Sequence, residues 1–138
     1  MNVVKRDGRQ EEFNIDKIHD VLFWATQGLN GVTVSDIEIK VAPQFADGVT
    51  THDIHQILIN GSADLITEKT PNYQYVSANL LNFFLRKDVF GVSDNLPALL
   101  DVIKQNIEHN VYDKSVLENY TEVEIKKLDN VIKHKRDY

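Results

Sequence analysis

Cationic side chains stand at three places from which they can serve a polyanion: Lys5 and Arg6 just before an Asp7-Gly8 turn, Lys17 in the first turn of the helix expected after Asn14, and Lys87 at the end of a later helix. Lysine supplies a compact point charge, and arginine a planar fork that grips two phosphate oxygens at once. A helix starting near Asn14 would add outward-pointing backbone N–H groups and the positive end of its dipole. If the N-terminal hairpin folds over a helical bundle, these cations converge on a triphosphate. Spacing alone leaves the other reading open, because lysines at helix ends are commonly plain solvated charges.

Several further side chains suit such a ligand. Glu11 can accept a hydrogen bond from an adenine amino group, although on sequence alone an exposed strand carboxylate paired with Lys or Arg is the favoured reading. Thr51 reads as a helix N-cap, a role that leaves nearby N–H groups available to a ligand. His52 and His55 lie three apart on a helix with Asp53 between them. Two ligands are too few for zinc and no third stands out, so contact of one His with a sugar or base edge is preferred. Trp24, Phe23, Phe83, Phe84 and Phe90 fall at helical spacing and read first as core. Phe83, one turn before Lys87, is the one placed to line an adenine pocket. The sequence holds neither a Gly-x-x-x-x-Gly-Lys-Ser/Thr loop nor Gly-x-Gly-x-x-Gly, and no Ser-His-Asp or paired-carboxylate arrangement gives catalysis a home.

The elements that must position these residues are legible. Val3-Val4-Lys5, the Asp-Gly turn and Gln10–Phe13 read as a hairpin. Asn14 caps a first helix whose Ile18, Val21, Leu22 and Ala25 form one apolar stripe, stopped by Gly28 and Asn30-Gly31. Ser35 and Glu38 read as the capping box of a second helix bounded by Pro43 and Asp47-Gly48. Thr51 opens a third, with Ile54, Ile57, Leu58 and Leu65 on one side. Thr70-Pro71 opens a fourth with proline at its first position, Val76, Leu80, Phe83 and Phe84 inward, and Gly91 as the stop. Helices over Pro97–His109 and Lys114–Tyr120 come next, then a capping box at Thr121 and Glu124 and a helix over Glu122–Lys135 ending in the basic string Lys133–Arg136. The break near Gly91–Asn95 predicts a first domain over 1–92 and a helical extension over 93–138. The fold expected is α+β and mainly helical: about four helices capped by a β-hairpin, with a C-terminal helical extension.

Composition narrows the function. A net charge of -6 over 138 residues argues against non-specific binding to nucleic acid or to a membrane, both of which need a positive field. No apolar run reaches the roughly 20 residues of a spanning helix, and the opening MNVVKRDG lacks a secretory signal, so a cytoplasmic protein is expected. The absence of cysteine removes disulfides, zinc ribbons, thiol nucleophiles and thiyl radicals.

The ordered motifs resemble a known family. Val4-Lys5-Arg6-Asp7-Gly8, Glu11, Phe13 and Asn14-Ile15-Asp16-Lys17-Ile18 look like the opening of the ATP-cone domain. The likeness continues through Asp47-Gly48, Thr51-x-x-Ile54-His55, Pro71-Asn72-Tyr73-Gln74-Tyr75-Val76 and Leu85-Arg86-Lys87 to Gly91. Tyr112-Asp113, Tyr120-Thr121-x-x-Glu124 and His134-Lys135-Arg136-Asp137 resemble the stretch after the cone in large subunits of class Ia ribonucleotide reductase, which makes deoxyribonucleotides for DNA synthesis. The resemblance implies a four-helix bundle capped by three strands, with Gly48–Thr50 as the third. It implies binding of ATP or dATP with Mg2+ as allosteric effector. Lys5, Arg6, Lys17 and Lys87 would surround the phosphates; Glu11 and Asn14 would lie near the adenine, with Val3, Ile15, Ile18, Ile54 and Phe83 beside it; Thr51 and His55 would lie near the sugar and phosphates. Partners implied are the rest of the large subunit, the radical-bearing small subunit and further copies in a homo-oligomer.

The reductase's radical and redox cysteines are missing, so the chain is expected to be no enzyme by itself but a fragment, or a split-gene product that reassembles. The cysteine-dependent ATP-cone repressor of reductase genes is excluded. Two rival classes stand beside the sensor: a ligand-free helical interaction module, and a helix-turn-helix DNA binder, which the acidic balance disfavours.

Overall fold

The computed structural model describes residues 1–138, which divide into two compact units: Met1–Leu85 together with Tyr138, and Arg86–Asp137. The first unit holds strands β1 (Asn2–Val4), β2 (Gln10–Glu12) and β3 (Val49–Thr50), helices α1 (Ile15–Thr26), α2 (Val34–Val41) and α3 (Thr51–Ala63), and most of α4 (Tyr73–Phe90). The mainly helical α+β expectation holds, and the third strand is present.

The Asp-Gly signal works as expected. The Lys5 and Gly8 amides close the turn on Arg9 O and Lys5 O, Gly8 takes φ +82°, and Asp7 Oδ1 accepts from the Arg9 amide at 3.1 Å. Asn2, Val3 and Val4 pair antiparallel with Glu12, Glu11 and Gln10. Val3 and Val4 also pair parallel with Val49 and Thr50, giving the order β2-β1-β3. Beneath the sheet, Val3 joins Ile18, Leu22 and Ala25 of α1, Ile37 and Val41 of α2, Ile54 and Leu58 of α3, and Tyr73, Val76, Leu80 and Phe84 of α4 in one buried core. The α4 contribution follows a 3-4-4 spacing, as one helix face should. Phe83 is only half-buried beside it.

Three helix starts differ from expectation. The cap of α2 is Thr33, not Ser35: Thr33 is extended (φ -134°, ψ 145°) and its Oγ1 accepts from the Asp36 amide at 3.1 Å. Glu38 is drawn away to His19 Nδ1 at 2.8 Å, so no box closes around it. The buried Tyr73 hydroxyl takes over that duty, accepting from the Thr33 amide at 3.1 Å and donating to Asp36 at 2.9 Å. The cap of α3 is Thr50 rather than Thr51, in a full capping box with Asp53. Pro71 lies in a turn ahead of α4, its carbonyl accepting from the Gln74 amide at 3.2 Å, and the helix proper begins at Tyr73.

The second unit carries α5 (Leu99–Glu108), α6 (Ser115–Asn119) and α7 (Glu122–Asp129) around a small core of Leu100, Ile103 and Ile125. The capping box of Thr121 and Glu124 forms as expected, but α7 stops well short of Lys135. Asp129-Asn130 favours helix poorly, and Val131 and Ile132 beyond it have no core to meet, being 69% and 42% exposed. The basic string lies instead in a 3-10 turn, His134–Asp137, tied down by Arg86, which donates to His134 O at 3.1 Å and pairs with Asp137.

Candidate functional site

The site candidate is where β1 and β2 meet the start of α1. Side chains alternate across a strand; Val3 faces the buried core, and Lys5 directly follows the end of β1. Glu11, directly opposite Val3 in register, shares that bundle-facing side. The outcome is a cation cluster on one carboxylate: Glu11 Oε2 lies 3.1 Å from Lys5 Nζ and 4.0 Å from Lys17 Nζ. The Lys5 ammonium beside Glu11 holds its carboxyl below its ordinary value, with Lys17 and Arg9 adding to the effect. Lys5 comes from the hairpin and Lys17 from the first turn of α1, so two elements supply the amines.

The walls follow from the core. Val3, Ile18 and Ile54 are buried in one cluster with Phe84. His55 lies flat on the Phe84 ring, centroids 3.6 Å apart and planes 10° from parallel. Phe83 meets Phe84 edge-on at 5.4 Å and Trp24 at 5.3 Å. Phe84, read from sequence as plain core, is therefore the platform for His55; sequence spacing showed its inward face but not its partner on α3. Thr51 Oγ1 reaches Val4 O at 3.4 Å, which ties the head of α3 to β1.

Other expected members sit differently. Asn14 caps α1 and its side chain already accepts from the Asp16 and Lys17 amides, so α1 offers a ligand fewer N–H groups than a bare helix start. Ile15 is half-exposed, at 50%. Arg6 is exposed in the turn after β1. Lys87 lies in the last turn of α4, beyond Leu85, where the second unit begins. No three His, Cys, Asp or Glu side chains gather as a metal site. The second unit has a shallow hollow of about 460 Å³ lined by Ile107, Asn110, Val111, Tyr112, Asp113 and Lys114, which contains none of the expected site residues. No helix is long and apolar enough to cross a membrane.

Residues 1–88 match the family described as "ATP cone domain". Over 135 residues, 98% of the chain, it is 49% identical to "Ribonucleoside-diphosphate reductase 1 subunit alpha" of Salmonella typhimurium and 47% identical to the protein of that name from Escherichia coli. Over 99% of the chain it is 36% identical to the corresponding subunit α of Enterobacteria phage T4. The chain spans only 18% of the length of each of these relatives. The match supports a nucleotide-binding regulatory role, with a nucleotide as the effector. Joined over more than half its length to one domain description, and along nearly all of it to the N-terminal region of reductase α subunits, the chain belongs to the ATP-cone family.

Proposed function

We propose that this chain is an allosteric ATP/dATP sensor that sets the overall activity of a ribonucleotide reductase, as the regulatory front of its large subunit. The observation that carries the reading is the meeting of the Lys5 and Lys17 ammonium groups at Glu11, on the bundle-facing side of a sheet whose strands feed directly into two helix starts. Two amines held 3–4 Å from one carboxylate oxygen are spaced to be bridged equally by phosphate oxygens. Arg6 adds a fork for the same group, and Lys87 joins the set by motif position. Glu11 and Asn14 serve the adenine, with Val3, Ile15, Ile18, Ile54 and Phe83 as apolar wall, and Thr51 and His55 near the sugar. Mg2+ travels with the triphosphate. The partners are the remaining large-subunit chain, a small subunit that bears the radical, and further copies of the cone.

Regulation then works by differential affinity. ATP and dATP occupy one pocket, and each favours a different arrangement of the surface that meets other subunits. A ligand with equal affinity for both arrangements shifts nothing; a coupling of about 1–3 kcal/mol is typical of such switches. Calorimetry with ATP and dATP on the chain tests the reading. Lys5→Ala and Lys17→Ala should each weaken triphosphate binding roughly tenfold or more, the scale of a charged hydrogen bond, and adenosine binding far less. Heat-silent titrations of the native chain at high concentration, with no thermal stabilisation by nucleotide, would instead favour a ligand-free interaction module.

A further inference from the structure

We infer that Glu11 is a built-in counter-anion that closes the lysine pair to bare polyphosphate, and so makes the site select a nucleotide over the phosphate chain alone. The inference rests on the nucleotide reading above and adds a selectivity device to it. In the free chain Lys5 is already paired at 3.1 Å with an oxygen of Glu11, and Lys17 lies 4.0 Å from the same oxygen. Any phosphate group that takes these amines competes with the carboxylate for their charge and stands within a few ångströms of it. A bare polyphosphate offers Glu11 only like charge and no hydrogen-bond donor, since an ionised carboxylate can only accept. A nucleobase carrying an exocyclic amine compensates the carboxylate at the same moment as its phosphates take the lysines. One residue thereby penalises the incomplete ligand and not the complete one, which is discrimination by a repulsive element.

Glu12 supplies the control. It is the neighbouring residue on β2 and exposed, with its side chain on the opposite face of the strand, so Glu12→Gln makes the same change in net charge away from the lysines. The native chain, Glu11→Gln and Glu12→Gln are titrated calorimetrically with sodium tripolyphosphate and with ATP, in magnesium-free buffer. Glu11→Gln should bind tripolyphosphate roughly threefold to thirtyfold more tightly than the native chain, the range released by freeing two partly exposed ion pairs. Its gain for ATP should be clearly smaller, because the adenine amine exchanges a charged acceptor for the weaker neutral amide oxygen. Glu12→Gln should change either affinity by less than about twofold, since its charge is screened by solvent. The inference is overturned if Glu11→Gln binds tripolyphosphate no better than the native chain, if it gains equally for both ligands, or if Glu12→Gln gains as much. Native binding of ATP with an unmoved Glu11→Gln would defeat this inference alone. A native chain that binds no nucleotide defeats the sensor reading as well.

Discussion

Replacing Phe84 by alanine tests the platform on which the α3 side of the site stands. Phe84 is 5% exposed, carries the His55 ring at 3.6 Å and receives the edge of Phe83 at 5.4 Å. Truncating a buried phenylalanine costs about 3–5 kcal/mol in lost transfer energy and residual cavity. Set against a typical domain stability of about 5–15 kcal/mol, the variant should fold but with a much lower urea midpoint. The sole tryptophan, Trp24, lies in the same unit with its ring 5.3 Å from Phe83, so its fluorescence reports this unit's unfolding. A cycle with His55→Ala isolates the stacked pair: a coupling of about 0.5–1.5 kcal/mol is expected for rings in such contact. The double variant should therefore be less destabilised than the sum of the singles. A loss below about 1 kcal/mol for Phe84→Ala would place it among ordinary surface-like substitutions and refute the buried-platform reasoning. Strict additivity would show that His55 and Phe84 merely lie near each other.

The same unit yields two further expected outcomes. Gly61 is buried in α3, and a Cβ added there would overlap Val41 Cγ1 of α2. Gly61→Ala should therefore lose stability despite a helix-propensity gain of about 1 kcal/mol, because overpacking costs about 1–3 kcal/mol. Trimming the obstacle with Val41→Ala should recover the propensity gain relative to Val41→Ala alone, and a stabilised Gly61→Ala in the native background would contradict the packing. In acid, Asp53 is held below its ordinary value by the Thr50 hydroxyl and amide, Asp7 by the Arg9 amide and guanidinium, and Glu11 by Lys5. A carboxyl with a depressed folded-state pKa adds stability above its ordinary value, near pH 4, and loses it as pH falls through the lower folded value. The urea midpoint followed by Trp24 should thus decline below about pH 4; a midpoint that rises there would reverse the assigned sign.

What the sequence displayed and what it hid divide along a physical line. The Asp7-Gly8 turn, the stripe of Ile18, Leu22 and Ala25, and the box of Thr121 and Glu124 are local, and each formed as read. Choices between adjacent, chemically equal groups were less legible. Thr50 and Thr51 are both able caps, and the backbone decides: Thr50 is extended (φ -80°, ψ 156°) and finds Asp53 three residues on, a spacing that was visible and would have favoured it. Thr33 displaced Ser35 for a reason forty residues away, the Tyr73 hydroxyl. Likewise the two-residue strand β3 exists only because β1 pairs with it, since so short a run carries no periodicity of its own. The sharing of Glu11 by Lys5 and Lys17 needed the register Val3–Glu11, and no single-sequence pattern specifies a side-chain partner across a sheet.

The sheet's small size bears on the shape of the ligand. Strand β1 has its two ends served by different helices. Glu12 of β2 pairs with Asn2 and leads into α1 within three residues, while Thr50 of β3 pairs with Val4 and is itself the cap of α3. Asn2 and Val4 are two strand steps apart, roughly 7 Å, so the two helix starts stand at opposite ends of one short ladder. Glu11 sits opposite its middle, taking Lys5 from the Val4 end and Lys17 from the α1 end. The two amines therefore form one charged spot at the middle of the ladder and not one at each end. A molecule that carries both an apolar ring and a chain of charges matches this arrangement, with Val3, Ile18 and Ile54 for the ring and the paired amines for the charge. Shortening the phosphate chain from ATP to AMP should therefore cost affinity, and the loss should shrink in Lys5→Ala, where one of the two amines is already gone.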